Sequence, residues 1–207
     1  MSGRARARPA VSIPELATDR LILRAFRDAD RAAFAAMNAD PIVMEHFPAT
    51  LDRAASDALL DRIRERWAAD GHGLWAVERR SDGAFLGFTG LARLAYLEQP
   101  EVGWRFVPSA WGQGFATEAA RAALRFGFDN LAVPEIVSVT SVRNERSQAV
   151  MRRLGMHRDP ADDFLHPNIP DGHPLRPHVV YRLSADEWRG RRSRSEPPGQ
   201  RTGQATG

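Results

Sequence analysis

The spacing of apolar residues switches along this chain between the two-residue period of strands and the three-to-four-residue period of helices. Arg20-Leu21-Ile22-Leu23-Arg24 reads as a short strand, and Asp28 as the N-cap of a helix that runs through Asn38 until Asp40-Pro41 stops it. Thr50 or Asp52 opens a second helix, with Ala55, Leu59, Ile63 and Trp67 recurring at helical spacing, and Gly71-His72-Gly73 ends it. The stretches Leu74 to Glu78 and Ala84 to Leu91 flank Ser81-Asp82-Gly83. Asp-Gly readily supplies the positive φ angles of a tight turn, so this segment predicts a β-hairpin. A further strand, Glu101 to Val107, follows Pro100 and extends the meander.

At Pro108 the pattern changes. A loop with two glycines leads into a helix predicted over Thr117 to Leu131, with Ala120, Ala123, Leu124, Gly127, Phe128 and Leu131 on one face and Glu118, Arg121 and Arg125 on the other. Ile136 to Val142 is β-branched and predicts a buried strand. Asn144 then caps a helix whose Ser147, Val150, Met151 and Leu154 share a face and which Gly155 terminates. His178 to Leu183 is the last strand, with Ser184 capping a final turn through Trp188. These elements predict one α/β (α+β) domain over 16–190. A flexible Arg-rich tail is expected at 1–15, and a disordered Arg/Ser/Pro/Gly/Gln tail at 191–207.

The composition, 43% hydrophobic and 27% charged over 207 residues, agrees with one globular core. No apolar run approaches the roughly 18 residues that span a bilayer. The N-terminus carries Arg4, Arg6 and Arg8 with no apolar stretch behind them, so neither a membrane segment nor a secretion signal is expected and the cytoplasm is the expected location. The chain has no cysteine, which excludes disulfides, thiolate metal sites and a Cys nucleophile. All 29 basic residues are arginine, which also excludes a Schiff-base lysine. The net charge of +3 is concentrated in the tails and no helix carries a continuous basic stripe, so a nucleic-acid partner is not expected. The histidines of the Pro160–Pro177 segment have no regular ligand spacing, and no metal is expected.

The informative stretch is Glu101 to Glu118, a strand, a Gly-rich turn and a helix N-terminus in that order. The first turn of a helix has unpaired N–H groups and the positive end of the macrodipole, which suits an anion. Gly112 and Gly114 let backbone amides approach a phosphate closely. On glycine spacing alone, a tight connection with no ligand is an equal reading. There is no Gly-Lys-Ser/Thr, so this is not a P-loop, and the window Gly112 to Thr117 lacks the third glycine of a dinucleotide fingerprint.

The run Gly112-Gln113-Gly114-Phe115-Ala116-Thr117-Glu118 resembles the pyrophosphate motif of GNAT acetyltransferases, in particular their ribosomal-protein N-terminal acetyltransferase-like branch. The preceding Glu101-Val102-Gly103-Trp104 fits that branch. Asn144-Glu145-Arg146-Ser147, followed by Arg153-Leu154-Gly155-Met156, is similar to the second cofactor motif of the superfamily. The chain departs from the pattern at Trp111, where many members carry Gln or Arg, and at Met151, where many carry a thiolate-protonating tyrosine.

The resemblance implies a mixed, mostly antiparallel sheet with helices on both faces and a parallel strand pair, Glu101–Val107 and Ile136–Val142, that splays at one end. It implies acetyl-CoA as donor, held by Trp104 and Phe106 along pantetheine, by amides of Gly112, Gln113, Gly114, Phe115, Ala116 and Thr117 at the pyrophosphate, and by Asn144. The acceptor is then an amine, a protein N-terminus or a small molecule, and the protein a monomer or homodimer. Glu101 is the candidate base, against a solvated strand-end carboxylate. Ser147 is the candidate acid, against local capping with Asn144. Glu45 and His46, in the connection Pro41–Pro48, and the segment Pro160–Pro177 are expected to build the acceptor pocket. Met151 leaves a second reading open, a cofactor-binding regulatory module without turnover.

Overall fold

The computed structural model describes residues 13–195. Most of the N-terminal tail and the segment beyond Ser195 therefore lie outside the described residues. The strands are β1 (Leu16–Ala17), β2 (Leu21–Arg24), β3 (Leu74–Arg79), β4 (Phe85–Ala92), β5 (Glu101–Phe106), β6 (Glu135–Ser141), β7 (His157–Arg158), β8 (Phe164–Leu165) and β9 (Pro177–Ser184). They form one nine-stranded sheet in the order β1-β2-β3-β4-β5-β6-β9-β7, with β8 also paired to β9. Every pairing is antiparallel except β5 with β6. The helices are α1 (Arg31–Ala39), α2 (Arg53–Asp70), α3 (Phe115–Asp129), α4 (Glu145–Leu154) and α5 (Ala185–Ser195).

Successive side chains of a strand face opposite sides of a sheet, so β3 separates two cores. Trp75 and Val77 join Ala119, Ala123, Leu124 and Phe126 of α3, where Trp75 meets Trp67 edge-on at 4.8 Å and Phe126 at 5.2 Å. Ala76, on the other side, joins Phe34 of α1 and Leu60 and Ile63 of α2. Helices thus cover both faces, and the sheet between them is fully desolvated at Leu21, Leu23, Val77, Leu91 and Val102.

The hairpin forms around Ser81-Asp82-Gly83 as expected, with Gly83 at φ 72. Asp52 caps α2 by accepting from the Ala55 N–H at 2.7 Å, and Asn144 caps α4 by accepting from the Ser147 N–H at 3.0 Å. The first helix is different. Residues 28–30 form a 3-10 turn, and the caps expected of Asp28 give way to a buried ion pair. Asp30 takes two bonds from Arg24, at 2.7 and 2.8 Å, and one from the Arg27 N–H at 2.7 Å. Glu78 completes this cluster by accepting from Arg24 Nε at 2.6 Å.

The C-terminal end also departs from expectation. The final turn through Trp188 is the start of a helix that continues to Ser195, into the stretch expected to be a tail. A reciprocal cap starts it: Glu187 N–H donates to Ser184 Oγ, and Ser184 N–H donates to Glu187 Oε2 at 2.9 Å. Trp188 then stacks on Phe128 at 5.6 Å and ties the helix to α3. No helix among the described residues is long and apolar enough to cross a membrane.

The Arg24–Asp30–Glu78 cluster gives a stability prediction. Asp30→Ala leaves a buried guanidinium with half its partners and is expected to cost about 3 kcal/mol in urea unfolding. Arg53→Ala, at the exposed Arg53–Asp57 pair, is expected to leave the midpoint unchanged within error.

Candidate active site

β5 and β6 are in register at one pair only, Glu101 with Val137, where the Val137 N–H also donates to Pro100 O at 3.1 Å. Beyond that pair the strands part, and side chains occupy the apex. Ser138 Oγ donates to Val102 O at 2.8 Å, and the Val139 N–H reaches Glu101 Oε1 at 3.4 Å. Each of these takes a backbone group that a continuing ladder would need. Because Val107 N–H bonds Leu86 O on β4, alternation turns the peptide groups of Val102, Trp104 and Phe106 towards the gap. Trp111 Nε1 caps Phe106 O at 2.9 Å. The N–H groups of Trp104 and Phe106 and the carbonyl of Trp104 are left along an open strand edge.

The head of α3 opens on the same gap. Gly114 is its N-cap at φ 79, a conformation that costs a residue with a Cβ about 1–2 kcal/mol. The helix begins at Phe115, two residues earlier than the apolar pattern predicts, and its first intrahelical bond runs from Glu118 N–H to Gly114 O at 3.0 Å. The N–H groups of Phe115, Ala116 and Thr117 consequently have no acceptor among the described residues. Glu118 does not face this cradle: it accepts from Thr18 Oγ1 at 2.6 Å and from Arg20 Nε at 2.7 Å. Arg20 also donates to Gln113 O at 3.0 Å, so the residue that leads into β2 braces the loop from behind.

One cavity of about 1250 Å³ runs from this cradle to the opposite side of the gap. Trp104, Phe106, Gly112, Gly114, Phe115, Ala116, Thr117, Asn144 and Ser147 line it, and so do Glu45, His46 and Glu101. Gln113 does not. Its side chain donates to Ser109 O at 2.7 Å, which leaves only its backbone near the cradle. Asn144 spends its carbonyl oxygen on the Ser147 N–H, while Ser147 Oγ makes no bond to another group among the described residues. Met151 is fully buried in the core beneath α4 and does not reach the cavity.

Glu101 sits at the apex of the gap, and burial pushes its carboxyl up to about 7, with the Val139 N–H pulling the other way. His46 is held below its ordinary value by burial, offset by Glu45 and reinforced by Arg146.

Further residues join the site. Arg146 places its guanidinium 4.9 Å from the centroid of the Trp111 ring, so α4 returns a cation to the loop position where Trp111 removes one. Tyr96 lines the cavity and its hydroxyl lies 2.9 Å from His166 Nε2. The His166 ring packs 4.7 Å from that of His178, and both rings are kept below their ordinary values by burial. Burial and the nearby Glu101 raise the Tyr96 hydroxyl. Arg105, next to Trp104 on β5, completes the far wall. The pairing of Pro160–Pro177 with β9 through β8 brings His166 and Ile169 to the cavity. No local sequence signal marks Tyr96, which lies in the connection between β4 and β5.

A model of the acetyltransferase (GNAT) domain matches residues 20–157. The uncharacterised protein YkkB of Bacillus subtilis is 32% identical over 146 residues, which is 69% of this chain and 85% of YkkB. An acetyltransferase from Agrobacterium tumefaciens superposes with a TM-score of 0.70 at 29% identity, covering 86% of this chain and 99% of that one. Spermidine N-acetyltransferase from Vibrio cholerae, solved with CoA and spermine, shares the fold with a TM-score of 0.67 at 16% identity, over 83% of this chain and 99% of its own.

The raised Glu101 carboxyl can be checked without turnover. The folded protein holds this proton more tightly than the unfolded chain, so its contribution to stability is complete below pH 4.5 and is lost as pH rises through about 7. Relative to Glu101→Gln, the wild type is expected to lose on the order of 2–3 kcal/mol across that window in denaturant titrations. A parallel pair of curves would contradict the burial.

Proposed function

The chain belongs to the GNAT family of acetyl-transferring enzymes, and on that premise we propose that it transfers the acetyl group of acetyl-CoA to a primary amine, a protein N-terminus or a small molecule, by direct attack. The observation that carries this reading is a carboxyl near neutrality at the apex of a parted strand pair, on one cavity with three unpaired helix amides.

The N–H groups of Phe115, Ala116 and Thr117 suit a pyrophosphate: they are unpaired, converge at a helix N-terminus and carry its positive dipole. Arg146 on α4 adds a formal positive charge that contacts the loop. Trp104 and Phe106 offer backbone groups along which the amide-bearing arm of the cofactor lies as an added strand. Bound there, acetyl-CoA supplies an acyl thioester, an electrophile whose carbonyl becomes an oxyanion on attack. A backbone N–H of the open edge at Trp104 stabilises that charge, a role typically worth about 100-fold or more in rate.

An alkylamine is protonated near neutral pH, with a pKa close to 10.4, and must lose a proton before it attacks. Glu101 takes it. A carboxylate with a pKa of about 7 is a stronger base than a solvated one and is still about half ionised at pH 7. As the carbon–sulfur bond breaks, Ser147 Oγ–H donates to the departing thiolate and recovers its proton from solvent, while the nitrogen, cationic after attack, releases its second proton to solvent. The products are an amide and the free thiol of CoA. Ser147 is the available donor on α4 because Met151 is sealed in the core. His46 and Glu45 line the acceptor side and meet the incoming amine.

Free thiol release from acetyl-CoA with a panel of amines tests the reading. The wild-type kcat/KM is expected to rise with pH through an apparent pKa near 7 set by Glu101. Glu101→Gln is expected to lose about 100-fold in kcat together with that limb, and Ser147→Ala about 10-fold in kcat with little change in KM for acetyl-CoA. Saturable cofactor binding with no thiol release for any amine would instead support the regulatory-module reading.

A further inference from the structure

Other enclosed arginines of this protein are matched to acids, Arg24 to Asp30 and Glu78, and Arg182 to Asp162 and Glu135. Arg105 is not. Its guanidinium lies 4.2 Å from the Phe47 ring centroid and 5.3 Å from that of Phe88, and burial pulls it down to about 10. Nη1 donates to Asn38 Oδ1 at 2.6 Å, and Asn38 is fixed in turn by donating to Ser56 Oγ at 2.9 Å. Nε is enclosed without an acceptor, and no carboxylate pairs with the group among the described residues. A charge removed from water without a counter-charge is held against a large desolvation penalty, which a bound anion would relieve.

The position of this cation relative to the reacting centre is set by the strand. Glu101, Gly103 and Arg105 share one face of β5, with about 13 Å of strand between the first and last Cα. Gly103 leaves the space between them open, since a Cβ there would meet nothing nearer than Glu101 Oε2 at 4.0 Å. A ligand lying along this face has a proton acceptor at one end and a guanidinium at the other.

We propose that the acceptor is an amine that also bears a carboxylate, bound by Arg105 while the amine lies against Glu101. This rests on the transfer reading given above and narrows its substrate. With Nη1 committed to Asn38 and Nε enclosed, Nη2 is the nitrogen left to donate to a carboxylate oxygen, in a charge-assisted bond. The aromatic rings fix the plane of the group in advance, so little side-chain freedom is lost on binding. A polyamine would set its second ammonium against the same guanidinium, and the pocket therefore selects against that class.

The test compares linear ω-amino acids, from β-alanine to ε-aminocaproate, with their carboxamides as acceptors. In the wild type, kcat/KM for the best carboxylate is expected to exceed that of its carboxamide by about 10-fold or more. That ratio is expected to collapse towards one in Arg105→Gln and to return in part in Arg105→Lys, whose cation lacks the planar group. Equal use of acid and amide by the wild type, or an undiminished preference in a folded Arg105→Gln protein, would overturn the proposal.

Calorimetry of N-acetyl-ε-aminocaproate and its carboxamide against the protein–CoA complex keeps this separate from catalysis. Tighter binding of the acid, lost in Arg105→Gln, upholds the site even if no amine is acetylated, a result that would sink the transfer reading alone. Equal or absent binding of both ligands sinks the site.

Discussion

The molecule is organised by the parting of two parallel strands after a single registered pair. A sheet edge left open inside a protein invites closure, because every unpaired peptide group there loses a hydrogen bond. Here closure is blocked chemically. The Ser138 hydroxyl takes the Val102 carbonyl and the Glu101 carboxyl accepts from the Val139 N–H, so the groups that would extend the ladder are already bonded to side chains. The same two contacts form the apex of the cavity. The carboxyl at that apex is partly desolvated, and its affinity for a proton rises.

The surrounding structure serves to hold that gap at a fixed distance from a helix terminus. Glu118 points back to Thr18 and Arg20, Arg20 grips the Gln113 carbonyl, and Trp111 closes the end of β5 through Phe106 O. These bonds connect the first long strand, the glycine loop and the head of α3. The two aromatic cores on either side of the sheet supply the rigidity that keeps the open edge from relaxing.

Local chemistry was the most legible part of the sequence. Ser81-Asp82-Gly83, Asp52, Asn144 and Gly155 each specify a turn or cap by their own conformational preference, and each does so in the structure. Gly114 and the apolar face of α3 located the head of that helix to within two residues. Features that depend on distant partners were less legible. Asp28 has the form of an N-cap, but the buried arginine at 24 reorganises the turn around Asp30. The composition after Arg189 favours disorder, but the Ser184–Glu187 cap and the Trp188–Phe128 stack initiate a helix that propagates to Ser195. The two-residue strands β1, β7 and β8 exist only as pairings with longer neighbours and carry no pattern of their own. In the site, Glu101 and Ser147 were candidates through the family resemblance, and both line the cavity. Tyr96, Arg105 and Arg146 needed the sheet to bring them to the cavity, since nothing local fixes where those side chains point.

Whether the open edge and the helix head act as one cradle is decided most directly by backbone amide resonances of isotopically labelled protein titrated with acetyl-CoA. The account predicts that the amides of Trp104, Phe106, Phe115, Ala116 and Thr117 shift together and saturate at one ligand per chain. Saturable binding that leaves those five amides unmoved would contradict it.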